Sequence, residues 1–186
     1  MNRKGFTLIE LLVVIAILAV LAVAVTLILN PAELVRQGRD STRLSDIGTV
    51  HRAIGLYFAD QQEITFTAST TCTVASTTCP TSAAACTSTG AAYSVNASTT
   101  VSGTGWVHID FTSMTTGSPL ARLPIDPVNS DPNFYVFVTN TSEEYEIDAN
   151  MESTRYANGG GDDVESTDGG DNDNWYEVGN DSELNL

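Results

Sequence analysis

The residues with the clearest capacity for chemistry lie near the end of the chain. From Gly159 the sequence reads GGGDDVESTDGGDNDNWYEVGNDSELNL, and Asp162, Asp163, Glu165, Asp168, Asp171 and Asp173 stand among five glycines and several hydroxyls and amides. Hard cations such as calcium take roughly six to eight oxygen ligands on a backbone flexible enough to wrap round them. Asp168-Gly-Gly-Asp171-Asn172-Asp173-Asn174 offers several such oxygens in a short span. The spacing departs from the EF-hand pattern, and the alternative reading is an acidic, solvated tail. The adjacent aromatics Trp175 and Tyr176 favour an ordered loop, since a free tail has little use for them. The expectation is a calcium-holding loop with Asp162, Asp163, Asp168, Asp171 and Asp173 as its carboxylates, anchored by the two aromatics.

Other reactive side chains are sparse. Three cysteines, Cys72, Cys79 and Cys86, stand seven residues apart with no histidine nearby. A zinc site pairs its ligands more closely, so one disulfide and one remaining thiol is the expected arrangement, with the pairing open. His51 and His108 are the two near-neutral bases, and both are expected to be structural or exposed. No phosphate loop, nucleophile elbow or metalloprotease motif is present, and the chain is not expected to be an enzyme. The stretch from Glu143 to Glu183 carries fourteen acidic side chains against Arg155. Without a basic stripe to neutralise phosphates, nucleic acid is not an expected partner.

A further carboxylate, Glu10, occupies an unusual place. From Phe6 to Leu29 the chain is apolar except for Thr7, Glu10 and Thr26. As a helix this run measures about 36 Å, enough to cross a hydrocarbon core. Arg3 and Lys4 precede it, and positive flanks stay cytoplasmic, so the bulk of the chain is expected on the outer side. A secretory signal also has a basic start and an apolar core, and Ala22-Val23-Ala24 resembles its cleavage site. The run is too long for that reading, however, and a carboxylate in its second turn is costly unless it has a role. Thr7 and Glu10 have the T-x-x-E spacing of a capping box, which is compatible with a second role.

The run Lys4-Gly5-Phe6-Thr7-Leu8-Ile9-Glu10-Leu11-Leu12-Val13-Val14-Ile15-Ala16-Ile17 resembles the processing motif of type IV pilins and type II secretion pseudopilins. The resemblance implies cleavage between Gly5 and Phe6 by a prepilin peptidase, then N-methylation of Phe6. It also implies that Glu10 docks against the free amine of Phe6 on a neighbouring copy in a helical filament. A carboxylate and an ammonium that are each costly in apolar surroundings compensate each other when adjacent, so wrong registers are penalised. Removal of the leader would take Arg3 and Lys4 with it and move the formal charge from -15 to -17. The implied partners are other copies of the chain, the peptidase and a membrane assembly platform. The implied itinerary is the inner membrane as a single-pass precursor, then a periplasmic or extracellular filament.

The elements that position these residues follow from pattern. Pro31 removes a backbone donor and restricts Asn30, so a bend is expected there. Beyond it Leu34, Val35, Leu44, Ile47, Val50, Ile54 and Tyr57 or Phe58 recur at helical steps, with Arg36, Arg39, Arg43 and Asp46 between them. The arginines are read as a solvated face. Residues 61–105, dominated by Ser, Thr and Ala, read as an extended excursion unable to build a core. Asn96, Asn140 and Asn180 match the short N-glycan acceptor pattern. Strand alternation appears at Trp106–Phe111, Phe134–Val138 and Tyr145–Asp148. Between the first two, Leu123-Pro124-Ile125-Asp126-Pro127-Val128-Asn129 resembles the L-P-x-D-P stretch that precedes a strand in major pseudopilins, which also carry a calcium-binding C-terminal loop.

The expected fold is α+β: a long N-terminal helix, its first half transmembrane and protruding, packed on a small antiparallel sheet. The divisions are a leader at 1–5, a membrane and filament-core helix at 6–29, its amphipathic continuation at 30–60, the Ser/Thr/Ala-rich loop at 61–105 and the sheet with its acidic loop at 106–186. The expected function is a structural filament subunit. The alternative is a minor, tip-located pilin acting in adhesion or binding.

Overall fold

A computed structural model describes residues 5–61, 66–74 and 92–180. The chain divides into two units, Met1–Val35 and Arg36–Leu186.

In the first unit, helix α1 (Leu8–Leu29) begins at Thr7, whose side chain and that of Glu10 form a reciprocal capping box. That box satisfies two backbone amides that the first helical turn leaves without partners. The helix ends at Asn30, which adopts a left-handed conformation with φ 39°, a geometry that asparagine tolerates better than most residues. Helix α2 (Pro31–Asp60) starts on the next residue, where a proline loses nothing because the first helical amide has no partner anyway. The Asn30 carbonyl accepts from the amides of Glu33 and Leu34 at 3.0 and 3.3 Å. The expected bend is therefore a single-residue break between two helices.

The second unit is built on a five-stranded sheet, β1 (Ser69–Cys72), β2 (Ala92–Val95), β3 (Tyr135–Thr139), β4 (Tyr145–Ala149) and β5 (Tyr176–Gly179), in the order β2-β1-β3-β4-β5. All pairs are antiparallel except β1 with β2. On one face Tyr135, Phe137, Tyr145, Ile147 and Ala149 pack with Ile47, Val50, Ala53 and Ile54 of α2, and with Trp106, Ile109, Phe111 and Leu123. On the other face Cys72, Val74, Phe134, Val136 and Val138 form a second cluster that Trp175 joins. The fold is thus α+β, with a long N-terminal helix and a mostly antiparallel sheet, as in pilins.

Three expectations change. The Ser/Thr/Ala-rich region supplies β1, which lies inside the sheet between β2 and β3 with Thr70, Thr71 and Cys72 fully buried. Threonine is β-branched and suits a pleated surface, so composition low in large apolar residues did not prevent a central strand. Trp106–Phe111 is not a strand. Trp106, Val107, Ile109 and Phe111 are all buried and His108 is exposed, so the alternation is broken at Trp106, and the segment pairs only through an isolated Ser102–Asp110 bridge before a 3-10 turn at Phe111–Ser113. Trp106 is instead held by its own indole, which donates to the Pro124 carbonyl at 2.8 Å. Finally, β5 arises within the acidic region, where no strand was expected.

Candidate functional site

The N-terminal segment presents its motif openly. Phe6 is 82% exposed, and a side chain at Gly5 would meet no atom within 4 Å. The Glu10 carboxylate accepts from the Thr7 amide at 2.8 Å and from the Thr7 hydroxyl at 2.6 Å. Glu10 is therefore hydrogen-bonded within its own chain, which lessens the cost of carrying a carboxylate into apolar surroundings. From Leu8 to Thr26 α1 is long and apolar enough to cross a membrane, and the chain covers none of it. Thr26 turns its hydroxyl back to the Ala22 and Val23 carbonyls at 3.2 and 2.9 Å, so even this polar group is satisfied within the helix.

The acidic region is ordered by its own carboxylates. Asp162 is paired with Arg155 through Nε at 2.5 Å. Asp163 accepts from the Gly159 amide and from both the amide and hydroxyl of Ser166, and these donors lower its pKa. Asp168 accepts from the amides of Gly170 at 3.0 Å and Glu177 at 2.7 Å. Glu165, which is buried, accepts from Met151 and Asn158, and burial raises its pKa. Asp171 and Asp173 are exposed. The two expected anchors divide between the faces of the sheet: Trp175 packs on Phe134 with ring centroids 5.4 Å apart, while Tyr176 packs against the helix-side core.

The carboxylates that do converge are different ones. Glu146, Asp148 and Glu177 each present an oxygen within 4.8 Å of the others, and all three are buried. Strand alternation explains the placement, because Tyr145, Ile147 and Ala149 face α2 and so turn Glu146 and Asp148 to the opposite side. Asp148 lies directly across from Glu177 in the β4–β5 register. Burial, with Glu146, Asp168 and Asp171 nearby, pushes the Glu177 carboxyl up to about 8. The loop closes over it: the Asn172 amide donates to Glu177 Oε2 at 3.2 Å, and a Cβ on Gly170 would come within 1.7 Å of that oxygen. Hard, buried oxygen donors suit a divalent cation. Sequence periodicity could have flagged the set, since Glu146 and Asp148 interrupt an otherwise apolar strand.

A second charged cluster corrects the reading of the arginines. Arg43 is fully buried on α2 and donates to Asp40 at 2.7 Å, to Asp126 through Nε at 2.5 Å and to Glu152 at 2.6 Å. Burial alone would lower its pKa, but these three carboxylates hold it above the usual arginine value. Arg39 also binds Glu152. Asp126, the acid of the L-P-x-D-P stretch, additionally accepts from the amides of Val128 and Asn129, fixing that turn. Asp40 accepts from the amides of Glu152 and Ser153. These contacts tie α2 to the proline-rich turn and to the chain leaving β4.

The remaining candidates have structural partners. His51 Nδ1 lies 3.0 Å from the Tyr145 hydroxyl, and His108 Nε2 lies 3.3 Å from that of Thr71; partial desolvation by packed neighbours lowers both imidazole pKa values. The three acceptor-pattern asparagines spend their side chains on turns. Asn96 donates to the Gly105 carbonyl, Asn140 accepts from the Ser142 amide, and Asn180 accepts from the Tyr145 amide. Cys72 is disulfide-bonded. Cys79 and Cys86 lie outside the described residues.

Residues 1–26 match the prokaryotic N-terminal methylation motif, the prepilin signal of type IV pilins and pseudopilins. With this signal on an apolar helix, the chain has the features of a pilin-like prepilin peptidase substrate with an inner-membrane anchor. No curated protein and no solved structure matches the chain.

Proposed function

We propose that this chain is a structural subunit of a type IV pilus-like or type II secretion pseudopilus filament, cut between Gly5 and Phe6, methylated at Phe6 and polymerised through α1. The observation that carries the reading is the methylation motif at residues 1–26 on a helix whose apolar side chains the chain itself leaves uncovered. About 20 such residues need lipid before assembly and apolar partners after it. Glu10 would exchange part of its bond to Thr7 for the Phe6 amine of a neighbour, a charge-assisted pairing that sets register. Within the family, the L-P-x-D-P turn and the acidic C-terminal region support the secretion branch.

Replacing Gly5 by a bulky residue tests the processing step. The expected result is accumulation of uncut precursor in the membrane and loss of filaments, read by N-terminal mass spectrometry and electron microscopy. Normal cleavage of that variant would overturn the assignment of the junction. Glu10→Ala is expected to leave cleavage intact and to stop assembly.

Calcium is the cation proposed for the acidic region, with Glu146, Asp148 and Glu177 as its buried carboxylates in place of the loop aspartates. The support is the chemistry of the donor set and the bare Gly170 backbone over Glu177. Calorimetric titration with calcium is expected to show saturable heat that Glu177→Gln abolishes. Absence of heat, with a chelator-independent melting temperature, would remove calcium from the account.

A further inference from the structure

Six arginines follow the processing junction, in a chain with 23 acidic side chains. An arginine without a carboxylate is therefore unexpected here. Arg39, Arg43 and Arg155 are ion-paired. Among the described residues, Arg52 and Arg122 have no carboxylate within 4 Å, and both are exposed.

The two arginines flank one cleft. It has a volume of about 340 Å³ and is lined by Asp46, Thr49, Leu120, Arg122, Pro124 and Ile125. Arg52 Nη2 donates to the hydroxyl of Thr49 in its wall at 3.2 Å. The cleft's own acid, Asp46, is held by the Tyr135 hydroxyl at 2.9 Å, and burial raises its pKa. The result is a basic spot on an otherwise acidic surface. Asp171 and Asp173 are the complementary feature: exposed carboxylates two residues apart, on either side of Asn172, whose amide is held by Glu177.

We infer that the Arg52–Arg122 cleft receives the Asp171–Asp173 loop of a second copy of this chain. The inference rests on the filament reading and names a contact within it. A subunit of formal charge -17 after loss of the leader repels its copies, and repulsion between like surfaces must be offset where they touch. Opposite charges placed across an interface fix orientation and penalise other arrangements. Arg52 with Arg122 and the exposed carboxylates Asp171 and Asp173 meet that need, and every copy carries both pairs.

Charge reversal in the full-length chain tests the pairing. Arg52→Glu with Arg122→Glu, and separately Asp171→Arg with Asp173→Arg, are each expected to lower sheared-filament yield by about tenfold or more, because each places like charges face to face. The combined fourfold variant is expected to recover assembly. Cleavage at Gly5–Phe6 and the melting temperature of the detergent-solubilised subunit are measured alongside, so a folding defect is separated from an assembly defect. Unchanged yield in either double variant, or no recovery in the fourfold variant when it is cleaved and folded, overturns the pairing. Wild-type chains that are cleaved yet never polymerise would overturn the filament reading and this contact with it.

Discussion

Arg43 is the residue on which the buried carboxylates Asp40 and Asp126 depend. Removing it would leave Asp40 and Asp126 buried with their main counter-charge gone, and breaking such a set from one side costs about 3–5 kcal/mol. Arg43→Leu is expected to lower the melting temperature by on the order of 10 °C at neutral pH, measured by circular dichroism. Asp126→Asn, which keeps the turn-forming acceptor, is expected to cost less. Glu177 supplies the pH-dependent counterpart. Its folded pKa of about 8 lies above the ordinary value of 4.5. The native state therefore holds a proton that the unfolded chain releases, and stability falls as pH rises through that interval. In chelator, the melting temperature is expected to drop between pH 5 and 8, and Glu177→Gln is expected to flatten the drop. Arg43 was partly legible from sequence. Asp40 and Arg43 continue the 40, 43, 47, 50, 54 spacing of the buried stripe, yet charge led to a solvated reading because the partner Asp126 lies 83 positions away.

Among the elements, the acidic loop depends on a hydrophobic contact as much as on its carboxylates. Trp175 is 3% exposed and joins Phe134, Val136 and Val138 on the outer face of the sheet. Trp175→Ala is expected to cost about 3–5 kcal/mol and to speed amide exchange at residues 168–174 before the rest of the sheet, as read by hydrogen-exchange mass spectrometry. Uniform exchange across the sheet would count against a local anchor. Local pattern disclosed α1 by its unbroken apolar length, α2 by its helical period, and β3 and β4 by short runs of β-branched and aromatic residues. It failed at β1, β2 and β5. A central strand of Ser-Thr-Thr-Cys carries no alternation of size, and its place is set by β3 residues more than 60 positions on. β5 lies among charges, and its buried Glu177 reads as surface until the strands are paired.

At the scale of the whole molecule, the division after Val35 separates a lipid-soluble unit from one with its own core. A fragment starting at Arg36 is expected to be soluble without detergent and to melt cooperatively. Size-exclusion chromatography and thermal denaturation would check this; a chain without a cooperative transition would show that α1 is needed for folding. The N-terminal methylation motif was the most legible part of the protein, since its pattern is contiguous in sequence. The carboxylate cluster was the least legible, because β4 and β5 bring it together across the whole segment between Ala149 and Tyr176. One contact made there has a wider consequence. β5 closes the sheet at one edge, and an edge amide is a template for pairing with another strand. The Glu177 amide is already taken by Asp168. In the proposed filament, copies crowded side by side would thereby be discouraged from fusing sheet to sheet, so that order would grow through the helices instead of as amyloid.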